Sequence, residues 1–166
     1  MLLWLHLFIH VVFAVLAGLI VWKFCGQKII SFAAAFAGGV LIDLDHLIDH
    51  FAAFGFSFDF FSFIQGEHFA VNDKIYVLFH GWEYVILLIV VVWLIKSNIK
   101  LKTAILALAV GAFFHLLVDV NINHGMTYTG YSVIYRAVNG YKMEKIVTPK
   151  HYIDHLSKKR EHSFDE

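Results

Sequence analysis

Three aspartates and two histidines crowd one short stretch, Gly38-Gly-Val-Leu-Ile-Asp-Leu-Asp-His-Leu-Ile-Asp-His50, at the end of a long apolar segment. On a helix at about 100° per residue, Asp43, Asp45, His46, Asp49 and His50 fall within one half of the wheel. Leu44, Leu47, Ile48 and Phe51 fill the other half. Carboxylate oxygens and imidazole nitrogens at this spacing are what a divalent metal ion takes from one helical face. Aspartates at a helix C-terminus also oppose the dipole and one another unless a cation or a histidinium intervenes. A second pair, His115-Leu-Leu-Val-Asp119, stacks its two side chains one turn apart. A third group, His80-Gly-Trp-Glu83, sets an imidazole and a carboxylate at i and i+3, with Gly81 allowing close approach and Tyr84 next to it. The expected metal ligands are Asp43, Asp45, His46, His80, His115 and Asp119. His10 is either a further ligand or a hydrogen-bonded core histidine. Glu83 or Asp49 is the expected general base toward a water acidified by the metal to a pKa of ~7. Arg136 and Lys142, with Tyr84, are the candidates for holding an anionic substrate group, although basic residues beside a membrane also meet lipid headgroups. His6, His68, His124, His151, His155 and His162 are expected to be interfacial or solvated.

These residues need apolar elements to carry them. The chain has 166 residues, is 60% hydrophobic and only 16% charged, with a mean hydropathy of +0.70. A soluble domain has more charge and less hydrocarbon, so the composition points to a membrane. A formal net charge of zero argues against nucleic-acid binding. The single cysteine, Cys25, rules out an internal disulfide or a thiolate cluster, and its expected role is packing at a helix end. Residues 2–22 are longer than the apolar core of a signal peptide, lack a basic start and carry His6 and His10, so a retained membrane helix is expected. Four segments are long and apolar enough to span: 2–22, 29–50, 75–95 and 101–121. The expected fold is all-α, an integral-membrane four-helix bundle over residues 1–147. Between its second and third helices lies a Phe-rich interfacial loop, 51–73, and residues 148–166 form a charged extramembrane tail. A short interfacial helix is expected near Tyr131–Arg136.

In a four-span topology the start of helix 1, the end of helix 2, the start of helix 3 and the end of helix 4 lie on one side. His10, the acidic cluster, His80 with Glu83, and His115 with Asp119 then share one layer. Each intramembrane charge costs roughly 2.5–3.5 kcal/mol on insertion scales, so several together call for mutual pairing or a metal. Lys23, Lys28, Lys96, Lys100 and Lys102 gather at the opposite helix ends, against Lys74 and Arg136 on the site side. By the positive-inside rule the site faces away from the cytoplasm. The basic run from Lys142 to Arg160, further from the membrane, argues the other way. The expected location is a bacterial or archaeal plasma membrane.

Asp43-Leu-Asp-His46 followed by His115-Leu-Leu-Val-Asp119 resembles the YdjM-like membrane-bound metal-dependent hydrolases, over helices 2 to 4. That family carries an Asp-x-Asp-His motif, a central His motif and a late His-x-x-x-Asp. Two departures stand out: Ile42 where a proline is common, and Phe79-His-Gly-Trp-Glu83 where the family's central motif usually ends in Thr-His-Ser. The late motif is also loosely similar to zinc-dependent phospholipase C enzymes. The resemblance implies a metal-dependent hydrolase, with one or two ions, zinc first and manganese or iron as substitutes. A site at a membrane surface suits an amphiphile, so a lipid or lipid-linked phosphoester is the expected substrate. One rival is a di-iron or haem oxidoreductase, against which the missing repeated Glu-x-x-His signature counts. Another is a non-enzymatic metal or proton transporter, which would require a homo-oligomer because acidic groups on one side trace no route across.

Overall fold

The structure, a computed structural model, describes residues 3–122 and 125–162. Ten α-helices follow one another there: α1 (Leu3–Cys25), α2 (Lys28–Gly39), α3 (His46–Phe54), α4 (Phe60–Gln65), α5 (His68–Val71), α6 (Trp82–Leu94), α7 (Ile99–Ile122), α8 (Val133–Val138), α9 (Met143–Ile146) and α10 (Pro149–His162). Short 3-10 turns occupy Leu41–Asp45 and Tyr128–Tyr131. Among the described residues there is no strand, only two isolated bridges, Lys74 with Lys142 and Met126 with Val147. The fold is all-α, as expected. The chain forms two compact units: Met1–Asp43 with Gly81–Ile122, and Leu44–His80 with Asn123–Glu166.

In the first unit α2 packs on both α1 and α7, α1 packs on α7, and α6 packs on α7. Small residues make that packing close. A Cβ at Gly38 would run into the Leu108 carbonyl, and one at Gly111 into the carbonyl of Ala35. With Ala107 and Ala35 fully buried between them, α2 and α7 meet almost backbone to backbone, as helices do when small residues face each other. Large apolar side chains point outward instead: Trp4, Phe8, Leu19, Ile86 and Trp93 are all exposed. Helices α1, over Trp4–Cys25, and α7 are long and apolar enough to cross a membrane. A third span exists if Lys28–Gly39 and Leu41–Phe54 count as one broken crossing. This pattern points to membrane association.

Of the four expected spans, two helices are long and apolar enough to cross, or three if the bent pair is one crossing. The segment 75–95 is not one helix. Its helical part, α6, has 13 residues, about 20 Å at 1.5 Å per residue, against a hydrocarbon core of about 30 Å. Residues 75–81 are irregular, because side chains from elsewhere take their backbone groups, as described below. The single helical face drawn through Asp43–His50 is corrected as well. Helix α2 stops at Gly39, a 3-10 turn covers Leu41–Asp45, and α3 starts at His46. At about three residues per turn, Asp43 and Asp45 leave the backbone on different sides.

The second unit has its own apolar core of Ile75, Val77, Met143, Ile146 and Val147, flanked by Phe69, Met126, Tyr135 and Tyr152. The segment after Thr148 forms α10, which packs on α5 and α9. His155 is buried on it, its Nδ1 3.0 Å from the Phe69 carbonyl and its Nε2 3.0 Å from Asp73. Lys159 donates to the other Asp73 oxygen at 2.6 Å. Lys159, and after it His155, hold the Asp73 carboxyl below the ordinary carboxylate range. Residues 163–166 of the expected tail lie outside the described residues.

Gly111→Val tests the close seam between α2 and α7. Overpacking of this kind costs about 1–3 kcal/mol, so the variant should melt several degrees lower in detergent. Val90→Ala, on an exposed position of α6, should leave the melting temperature unchanged.

Candidate metal centre

Two of the first unit's longest helices bring a histidine–aspartate set together. His6 and His10 lie one turn apart on α1, and His115 and Asp119 one turn apart on α7. Asp43 joins them from the 3-10 turn that follows α2. His10, His115 and Asp119 are buried, at 0%, 1% and 3% exposure, while Asp43 and His6 are half-buried. Asp119 is the hub. Its Oδ1 lies 3.2 Å from Nε2 of both His6 and His10, and those two nitrogens are 2.8 Å apart. Its Oδ2 lies 3.2 Å from His115 Nε2, which is also 3.3 Å from Asp43 Oδ1. The rings of His10 and His115 stack at 4.0 Å.

The α2–α7 seam decides the orientation of His115. Because the backbones nearly touch, the Gly39 carbonyl comes within 3.1 Å of His115 Nδ1. A carbonyl only accepts, so Nδ1–H donates to it and Nε2 is the nitrogen that faces the two carboxylates. Such a backbone partner on the far nitrogen is the usual support of a metal-bound histidine. A lone pair on Nε2 aimed at two carboxylate oxygens is repulsive unless a proton or a cation stands between them. Separations of 3.2–3.3 Å also match the edge of a tetrahedron with metal bonds of about 2.0 Å, which is about 3.3 Å. Two ligand triads, His6–His10–Asp119 and His10–Asp43–His115, have all their atoms within 4.8 Å of one another.

The second unit uses its ionised groups differently. Asp49, 1% exposed, accepts from the backbone N–H groups of Tyr76 and Val77 at 2.6 and 2.9 Å, one on each oxygen. Asp45 Oδ2 accepts from the Phe79 N–H at 2.7 Å and from His80 Nδ1 at 3.1 Å. Its Oδ1 is buried with no hydrogen-bond partner among the described residues. Arg136 is fully buried. Its Nη2 donates to the carbonyls of Val77 and His80 at 2.8 and 2.9 Å, and its Nη1 to the Gly130 carbonyl. Two carboxylates and a guanidinium thus take up the backbone of residues 76–80, which is why no helix forms there. Val77, held from both sides, has φ +30°, a strained value for a β-branched residue. The clamp fixes His80, whose Nδ1–H donates to Asp45.

Of the residues expected at the site, the first unit collects His10, Asp43, His115 and Asp119, and adds His6, which was expected near solvent. The signal for His6 was its one-turn spacing from His10. Glu83 and Tyr84 lie half-buried in the first turn of α6, in the same unit. Asp45, His46, Asp49, His80 and Arg136 belong to the second unit. Lys142 is exposed there, at the cap of α9. His46 is half-buried with its ring 5.1 Å from that of His80. Burial, together with the charges of His46 and His50, pushes His68 down to about 4. His155 and His68 are buried rather than solvated, and His151 is exposed as expected. His124 and the side chain of His162 lie outside the described residues.

No protein-family model, curated protein or solved structure matches this chain.

Asp49→Ala separates a clamp from a general base. Loss of two charge-assisted bonds to backbone amides, each contributing about 1.5–3 kcal/mol, should speed hydrogen exchange at Tyr76 and Val77 by at least tenfold. A residue serving only as a base would leave that exchange unchanged.

Proposed function

We propose that this protein is an integral-membrane, metal-dependent hydrolase whose ion is held by His10, Asp43, His115 and Asp119, with His6 beside them. The observation that carries this reading is the meeting of buried imidazole and carboxylate atoms at 2.8–3.3 Å inside a unit made of apolar helices. Three nitrogens and two carboxylates form a borderline-to-hard donor set, which suits zinc first and manganese or iron next. Asp119 directs one oxygen to His6 and His10 and the other to His115, and the proposed set takes one ion or two. A divalent ion so held would supply Lewis acidity and an acidified water for attack on an ester.

The chain's own residues have assignable parts. Gly39 and the α2–α7 seam fix the His115 tautomer. Glu83, in the first turn of α6, is the candidate proton acceptor. An apolar, membrane-associated frame favours an amphiphilic substrate, and a lipid phosphoester is the specific proposal. The likeness of Asp43-Leu-Asp-His46 and His115-Leu-Leu-Val-Asp119 to the YdjM-like hydrolase motifs supports hydrolysis over redox chemistry. The lysine distribution favours a site side outside the cytoplasm.

Elemental analysis of the detergent-purified protein, with His115→Ala and Asp43→Ala alongside, tests the reading. Stoichiometric zinc is expected in the parent. Each variant should lose affinity by more than the ~10–100-fold typical of an outer-shell partner. Hydrolysis of a chromogenic phosphodiester in mixed micelles should fall in proportion. Full metal retention in both variants, or turnover independent of metal, would overturn the proposal.

A further inference from the structure

The second unit holds two buried imidazoles, His50 and His68, that neither the proposed metal centre nor the backbone clamp uses. His46 and His50 lie one turn apart on α3, and His68 opens α5, which packs against α3. His50 and His68 are 1% and 2% exposed. None of their four ring nitrogens has a hydrogen-bond partner among the described residues. A neutral imidazole carries one donor and one acceptor, and native interiors rarely leave such groups unmatched. Two rings doing so side by side indicate a ligand that meets nitrogen lone pairs.

The spacing identifies its size and kind. The ring centroids of His50 and His68 are 5.8 Å apart. A metal–nitrogen bond of about 2.0 Å, with the ring centre about 1.1 Å beyond the nitrogen, sets two coordinated imidazoles about 5–6 Å apart across one ion. The surroundings are aromatic: Phe54, Phe58 and Phe63 lie 5.0, 5.3 and 5.7 Å from the His50 ring, and aromatic faces attract cations. Entry is provided as well. A cleft of about 280 Å³ is lined by His50, Phe54, Ser57, Asp59 and Ser62, and Asp59 puts an exposed carboxylate on its wall.

We infer that His50 and His68 form a second metal site made only of imidazoles. It takes a late first-row ion, zinc or copper(I), of the kind that nitrogen ligands hold without carboxylate help. The site lies wholly within the second unit and does not depend on the His115–Asp119 set. It therefore makes the chain a two-centre metalloprotein, with the ion in the second unit serving structure or delivery rather than hydrolysis.

The test uses the full-length protein in detergent, stripped of metal and titrated separately with Zn²⁺ and Cu⁺. The decisive variant is His50→Phe/His68→Phe, because phenylalanine suits the aromatic surroundings and removes all four nitrogens. It should bind one equivalent fewer of the ion than the parent, whereas His115→Ala should keep that equivalent. His50→Gln and His68→Gln, made singly, should each weaken it at least tenfold and cover the case of a misfolded double variant. An unchanged stoichiometry and affinity in the phenylalanine variant, together with a raised melting temperature, would show the two rings to be packing only and would overturn the site.

Discussion

A carboxylate 3% exposed among apolar helices has to be met by hydrogen-bond donors or positive charge, and Asp119 is that carboxylate. Much of the first unit's arrangement follows from it. One oxygen faces two histidines from α1 and the other faces His115, so α1 and α7 are joined by polar contacts as well as by packing. Asp43 approaches the same His115 nitrogen only because α2 runs against α7 without intervening side chains. Small residues in the seam thus serve the chemistry: they bring the Gly39 carbonyl to His115 and leave its other nitrogen for the carboxylates. Removing one member would leave the rest as buried charges without a counterpart, a costlier state than an apolar core of the same shape.

The second unit solves a different problem with similar residues. Asp45, Asp49 and Arg136 are ionisable and close to the motif stretch, yet their partners are backbone groups. They hold a strained loop, with Val77 at φ +30°, and through it the position of His80. Strain of this kind persists where the surroundings over-determine it, and it tends to accompany function.

Much of this was legible before any coordinates. The two long apolar segments became α1 and α7 within a few residues, and the turn spacing of His115 and Asp119 announced a shared face. Asp43 was legible as a partner of that pair. Other features depended on distant contacts that no local pattern encodes. Residues 75–81 look apolar enough to extend α6, and Asp49 and Arg136, 28 and 59 residues from Val77 along the chain, together with Asp45, keep them irregular. The turn at Leu41–Asp45 separates aspartates that a continuous helix would have aligned. Charges in residues 148–166 suggested a solvated tail, but His155 and Lys159 find Asp73 and dock α10. His6 was expected to be interfacial or solvated, although it lies one turn from His10.

X-ray absorption spectroscopy at the metal edge of the purified protein addresses the central claim most directly. A bound ion with a mixed nitrogen and oxygen shell at about 2.0–2.1 Å, with outer-shell scattering from at least two imidazoles that diminishes in Asp119→Asn, is the predicted result. A preparation without metal, or an oxygen-only shell unaffected by that substitution, would contradict the account and leave His115 as an imidazolium between two carboxylates.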